Sequence, residues 1–326
     1  MSACARIALL VAVLAALAAL AVTGVAVLSA EEVESSSASA APAKPQMGFP
    51  PLALSLGARE DAEAQQLRRA ADLYEAGRHA QPAKIAEAER AFARHDSLEA
   101  KLGAAFATWP ASLDRIEQLG ALFPRSALVQ LHVGIARYWA GTGGAVTAGR
   151  EARDVEPDTP YAVRAGDLLY RDFAPGLPVF VPSFAFRVEG DSLAEQLDSL
   201  RADTSLHGRL LYGVALQRLG RPVSARRAFG QALRLAPQDP DALVADAVGR
   251  YSKEHPEAAF SRLGPLTRRF PHFASVRFHL GVLLLWHSEV REAKRQLRLA
   301  RDAAPRSPIA KEAERYLTEL AKAGTG

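Results

Sequence analysis

The sequence predicts an all-α protein built from repeated helix pairs. Three observations carry the prediction: a composition dominated by Ala, Leu and Arg, prolines recurring at one fixed interval in the C-terminal third, and small residues at fixed distances before them. Alanine, leucine and arginine lose little conformational freedom on a helix. Aromatic residues make up only 7% of the chain, too few for the alternating pattern of a β-sandwich or barrel. At 326 residues and 49% hydrophobic, the chain can bury a sizeable core.

The first six residues and residues 7–28 come first in chain order. The stretch 7–28 is uncharged throughout. As a helix it spans about 33 Å and matches a hydrocarbon core of roughly 30 Å. Arg6 precedes it and Glu31, Glu32 and Glu34 follow it. That asymmetry keeps residues 1–6 in the cytosol and predicts a single-pass anchor in the cell membrane with the rest of the chain on the extracytoplasmic side. The alternative is secretion after signal-peptide cleavage, but the apolar run exceeds a usual signal core and Leu28 stands where a small residue is wanted. Residues 29–57 are rich in Ser, Ala and Pro and form the expected linker. Within it, GFPPLALSL is oddly apolar for a tether and suits docking on the first helices.

The periodic signal is clearest over 205–306. Pro237, Pro271 and Pro305 are evenly spaced, at an interval of about 34 residues that suits one pair of helices per repeat. Twelve positions before them stand Ala225, Ala259 and Ala293; twenty-four before them stand Gly213, Ala247 and Gly281. Eight before them are the large residues Phe229, Leu263 and Leu297, and five before them are Ala232, Leu266 and Ala300. Small residues on two helices let the pair approach closely, a large residue fills the space beside them, and proline stops the second helix. The best unit, LLYGVALQRLGRPVSARRAFGQALRLAPQDP (210–240), closely resembles the tetratricopeptide repeat (TPR) family in its small residues, turn glycine, aromatic and closing proline. The resemblance implies a right-handed α-solenoid of helix-turn-helix repeats. The unit ending at Pro271 departs from the family at Asp246 and Arg250, and Gly264-Pro265 predicts a kink in its second helix.

The same offsets, more worn, extend over 58–157. Pro157 and Pro124 close two earlier units, and 59–94 looks like another helix pair. Residues 307–326 hold a capping helix, with Ser307 suited to its N-cap and Pro308 to its first turn. The interval from Pro157 to Pro237 is longer than two repeats, and the surplus is an apolar stretch. We assign 158–204 to a helical pair carrying an apolar insertion near 173–188 (FAPGLPVFVPSFAFRV). Such a segment either binds a ligand or folds over a gap in its own core.

No catalytic or metal-binding pattern stands out. The eight histidines show no HExxH or other tight metal spacing, and Cys4 is the only cysteine. The Gly141-Thr142-Gly143-Gly144 run lacks the Lys-Ser/Thr of a phosphate loop, and no GxSxG elbow is present. The chain is therefore expected to be no enzyme and to need no cofactor or metal. Charge is uneven: residues 31–204 carry 18 Lys/Arg against 25 Asp/Glu, and residues 205–326 carry 21 against 11. Arg291, Lys294, Arg295, Arg298 and Arg301 form a basic stripe, either a solvated outer face or a site for anionic lipid or an acidic partner.

The resemblance implies a membrane-anchored scaffold or adaptor that binds a protein or peptide in a concave groove, as in cell-envelope complex assembly. In the family the first helix of each unit lines that groove. Carried over by position, the candidate contacts are Leu210, Val214 and Gln217, then Val244, Val248 and Tyr251, then Phe278, Val282 and Leu285. The Lys and Asn residues with which chaperone-binding relatives hold a terminal carboxylate are absent from this set. An apolar groove suits a hydrophobic or amphipathic segment. No nucleic-acid partner is expected. A second reading makes the chain an anchored or secreted accessory protein with a small apolar ligand under 173–188.

Overall fold

The computed structural model describes residues 44–323 apart from Ala80, Arg187, Glu189 and Asp191. The expected anchor at 7–28 lies outside the described residues. Among the described residues no helix is long and apolar enough to cross a membrane.

Fifteen helices and no strand make up the described residues, which divide into two compact units with the boundary between Leu169 and Tyr170. The N-terminal unit contains α1 (Ala62–His79), α2 (Ala83–Phe92), α3 (Leu98–Ala107), α4 (Leu113–Leu122), α5 (Ala127–Ala140), α6 (Ala145–Val155) and α7 (Pro160–Leu169). The C-terminal unit contains α8 (Leu193–Ala202), α9 (Leu206–Arg218), α10 (Pro222–Leu235), α11 (Pro240–Gly249), α12 (Glu257–Arg269), α13 (Ala274–Trp286), α14 (Val290–Ala303) and α15 (Pro308–Ala323). Each unit stacks three helix pairs: α1/α2, α3/α4 and α5/α6 in one, α9/α10, α11/α12 and α13/α14 in the other. A last helix, α7 or α15, closes each stack against the final pair.

The small-against-large rule operates inside the pairs and between them. Gly213 on α9 lies directly beneath the Phe229 ring of α10, and a Cβ on Gly103 of α3 would stand 2.5 Å from the Phe92 ring of α2. Local chemistry sets the ends. The hydroxyls of Ser205 and Ser307 and the carboxylate of Asp239 accept from the amides of Gly208, Ala310 and Ala242 at the starts of α9, α15 and α11. Gly141 and Gly220 supply the left-handed turns between helices, at φ 67° and 68°.

Two expectations over domain limits change. Residues 49–56 are not linker: Ala53 and Leu56 belong to the N-terminal core. Nor do 158–204 hold one helical pair, because α7 closes the first unit while α8 packs on α9 in the second. The departures at Asp246 and Arg250 answer each other: the buried carboxylate accepts from Arg250 at 2.8 and 3.1 Å and is approached by Arg262 at 3.5 Å. Pro265 sits inside α12, which continues through it to Arg269.

Several first helices of the pairs differ in kind from the second, although α1 buries a single stripe. Helices α5, α11 and α13 are buried almost all round; every residue of α5 from Ala127 to Ala136 is buried. The second helices α10, α12 and α14 bury one stripe only. A helix that is apolar all round must be covered on both sides. One cover is the second helices. The other is a strap of chain.

Candidate functional site

In the C-terminal unit the strap is the segment 172–184, the centre of the apolar insertion. It begins at the C-terminal end of α13, where the Ser288 hydroxyl and the Trp286 indole N–H donate to the Asp172 and Gly176 carbonyls at 2.8 and 3.3 Å. It then meets the end of α9, where Gln217 accepts from the Phe180 amide at 2.9 Å and donates to the Pro178 carbonyl at 3.4 Å. Further on, the Val181 amide donates to His279 Nε2 at 2.9 Å, in the first half of α13. The Ser183 hydroxyl donates to the Asp241 carboxylate at the start of α11, and the Phe184 ring lies 4.2 Å from that of His207 at the start of α9. The strap thus runs antiparallel to the first helices, from their C-terminal ends to their N-terminal ends. Phe180 is its plug: fully buried, stacked on His279 at 5.1 Å and edge-on to Phe229 at 5.7 Å.

The N-terminal unit repeats the arrangement with residues 46–56. The Gln46 amide donates to the Trp139 carbonyl at 2.8 Å, at the end of α5. Arg78 and Tyr74, in the last turns of α1, donate to the carbonyls of Phe49 and Pro50 at 3.0 and 2.7 Å. The Ala53 amide donates to His132 Nε2 at 3.1 Å, and Arg68 donates to the Leu56 carbonyl at 2.6 Å. Superimposing Ala53 on Val181 aligns GFPPLALSL (48–56) with GLPVFVPSF (176–184): glycine, apolar, proline, any residue, two apolar, any residue, serine, apolar. Gly48 and Gly176 both have positive φ, 81° and 72°. The two prolines, Pro50 and Pro178, each offer the carbonyl to a side chain at the end of the first helix.

The two histidines share one electronic state. A backbone N–H can only donate, so Nε2 of each ring is the acceptor and Nδ1 carries the proton. That proton is given to a carbonyl one turn earlier, Leu128 for His132 and Ser275 for His279, at 2.7 Å in both. Complete burial holds both rings neutral and pushes each pKa down to about 4. Burial also raises the Asp241 carboxyl, against the Ser183 hydrogen bond that lowers it.

Of the nine candidate groove residues, eight are buried in the core of the C-terminal unit. Leu210, Val214, Val244, Val248, Tyr251, Phe278, Val282 and Leu285 are all buried, in the same core cluster as Phe180 of the strap. Gln217 is half-buried and holds the strap by both ends of its amide. Of the insertion near 173–188, the part up to Phe184 packs as the strap; two surface cavities lie elsewhere, beside Arg301 and Glu314 and beside Trp109 and Trp139. Sequence reasoning noticed both apolar segments and missed that they are the same motif. It also missed His132 and His279, although ALVQLHVG and ASVRFHLG place them identically in α5 and α13. Among the described residues no group of three or more His, Cys, Asp or Glu is arranged to hold a metal.

The helix pairs repeat one helix-turn-helix plan, and in two C-terminal pairs a glycine of the first helix faces a large residue of the second, Gly213 against Phe229 and Gly281 against Leu297. The described residues are built of helix-turn-helix repeats. No family model matches the chain and no curated protein is similar to it. Among solved structures it is similar to YrrB, described as a TPR protein with an unusual peptide-binding site, at 15% identity over 62% of this chain and 99% of that one, with a TM-score of 0.30. It is also similar to a chain of the APC/C hetero-tetramer Cut9–Hcn1, at 13% identity over 80% of this chain, with a TM-score of 0.27. The chain spans 56% of the length of that second protein.

Proposed function

We propose that this chain is a protein-interaction scaffold, anchored to the cell membrane through residues 7–28 with its repeat units on the extracytoplasmic side. The anchor rests on the length of the uncharged run and the charges flanking it. The binding role rests on one observation: each unit seats an extended, uncharged stretch of chain along its first helices, through one imidazole acceptor and one proline carbonyl. A face that holds its own segment in this way has the chemistry to hold a hydrophobic or amphipathic segment of a partner. The nine groove residues become contacts for that partner when the strap yields its place. The buried polar groups His132, His279, Asp241 and Asp246 are engaged in holding straps and helix pairs, which favours a scaffold over a catalyst.

A locked strap tests this. In the full-length protein with Cys4→Ser, cysteines at Pro178 and Gln217 are oxidised to bind the strap to its groove. Partners are then crosslinked in native membranes before and after reduction. The reading expects partner yield to fall in the oxidised form and return on reduction. Equal yields, in a protein with unchanged helical signal, would remove the groove from the function.

A further inference from the structure

The inner faces of the two units are alike; their outer faces are not. In the N-terminal unit the second helices α2, α4 and α6 carry five Lys/Arg against six Asp/Glu. In the C-terminal unit the corresponding α10, α12 and α14 carry eleven against three. Six of these arginines, Arg226, Arg227, Arg234, Arg268, Arg291 and Arg298, are exposed and have no ion-pair partner among the described residues. They lie opposite the stripe that each helix buries, Ala225 to Ala232, Ala259 to Leu266 and Ala293 to Ala300. Among them stand two exposed leucines, Leu235 at 57% and Leu299 at 43%.

Solvation alone does not call for this. Mixed signs dissolve a helix face as well, as the N-terminal unit does, and unpaired like charges repel one another. We propose that the outer face of α10, α12 and α14 is a docking surface for an anionic lipid bilayer. The charge is spread along three helices and is not gathered at one point. A diffuse cationic face with apolar residues between its charges fits a sheet of anionic headgroups, each arginine adding to adhesion and the leucines entering the headgroup boundary. This inference does not need the groove to bind a partner.

The test uses the full chain with Cys4→Ser and Leu299→Cys, labelled with an environment-sensitive dye. Phosphatidylcholine vesicles are compared with vesicles containing phosphatidylglycerol, with spin-labelled lipid as quencher. We expect strong quenching only with phosphatidylglycerol, falling by about tenfold or more in apparent affinity at high salt. Arg226→Glu, Arg234→Glu and Arg268→Glu together should abolish it at unchanged helical content. The matching triple lysine variant should keep it, because a headgroup sheet reads charge and not the planar fork of arginine. No quenching by phosphatidylglycerol vesicles in the folded protein overturns the proposal. So does loss in the lysine variant, or a dye response to soluble polyglutamate or duplex DNA but not to vesicles, which reassigns the face to an acidic macromolecule.

Discussion

The two units seat the same nine-residue pattern against the same imidazole, yet the second helices of one carry a near-neutral surface and those of the other a net charge of +8. The inner equivalence is a requirement of folding. First helices that are apolar all round need cover on the side away from their partners, and the strap supplies it. The outer helices bear no such requirement, and there the two units diverge. The likeness between the units follows from what the fold needs; the difference between their outer faces does not.

The plug residue should separate the units most. Phe180→Ala empties a fully buried site and should cost about 3–5 kcal/mol. Leu52→Ala, at the aligned and only half-buried position, should cost clearly less. Hydrogen exchange read helix by helix assigns each loss to its own unit; equal losses would break the asymmetry. Glutamate at Val248 or Val282 belongs to the same class, since both are buried beside the strap and a charge there would unfold the unit.

Acid should act on both units alike. Each buried imidazole has its folded pKa lowered to about 4 from an ordinary 6.5. The unfolded chain therefore takes up protons first as pH falls. The stability is whole above pH 6.5 and is lost progressively down to about pH 4, by roughly 3 kcal/mol for each histidine. Below that the ring protonates in place and Nε2 can no longer accept from the strap amide. Denaturant midpoints measured from pH 7 to 4 check this, and His279→Leu should flatten the slope of the C-terminal unit alone.

Crowding mutations should cost less. Gly213→Ala drives a methyl into the Phe229 ring and Gly103→Ala into that of Phe92, each worth about 1–3 kcal/mol in thermal unfolding. Gly264→Ala meets nothing and should leave its unit's melting temperature unchanged within a degree or two. Smallest is the proline anchor: Tyr74→Phe and Gln217→Leu each remove one side-chain donor to a carbonyl, about 1 kcal/mol. A much larger loss for Gln217→Leu would show its second bond, to the Phe180 amide, to be the stronger one.

The helix pairs were legible because their signal repeats. Pro237, Pro271 and Pro305 with the small residues before them state a period, and the period states the pairs. The straps recur once, at a spacing unrelated to that period, and consist of apolar residues and proline that read locally as linker or insertion. Their meaning depends on where they pass, and sequence periodicity says nothing of that. The clue that was present lay in the first helices. ASVRFHLGVLLLW has no polar face to give to water, so the groove it lines had to be occupied.

The N-terminal strap also has a mechanical side. It enters its unit at Gln46 and runs antiparallel to α1 and α5, so tension arriving along the chain at Lys44 loads its contacts one after another, before any helix pair is strained. Released from Gln46 to Leu56, the segment would lengthen the connection by up to about 35 Å. The same segment that completes the core would thus also limit how far its unit can stand from whatever holds the chain ahead of it.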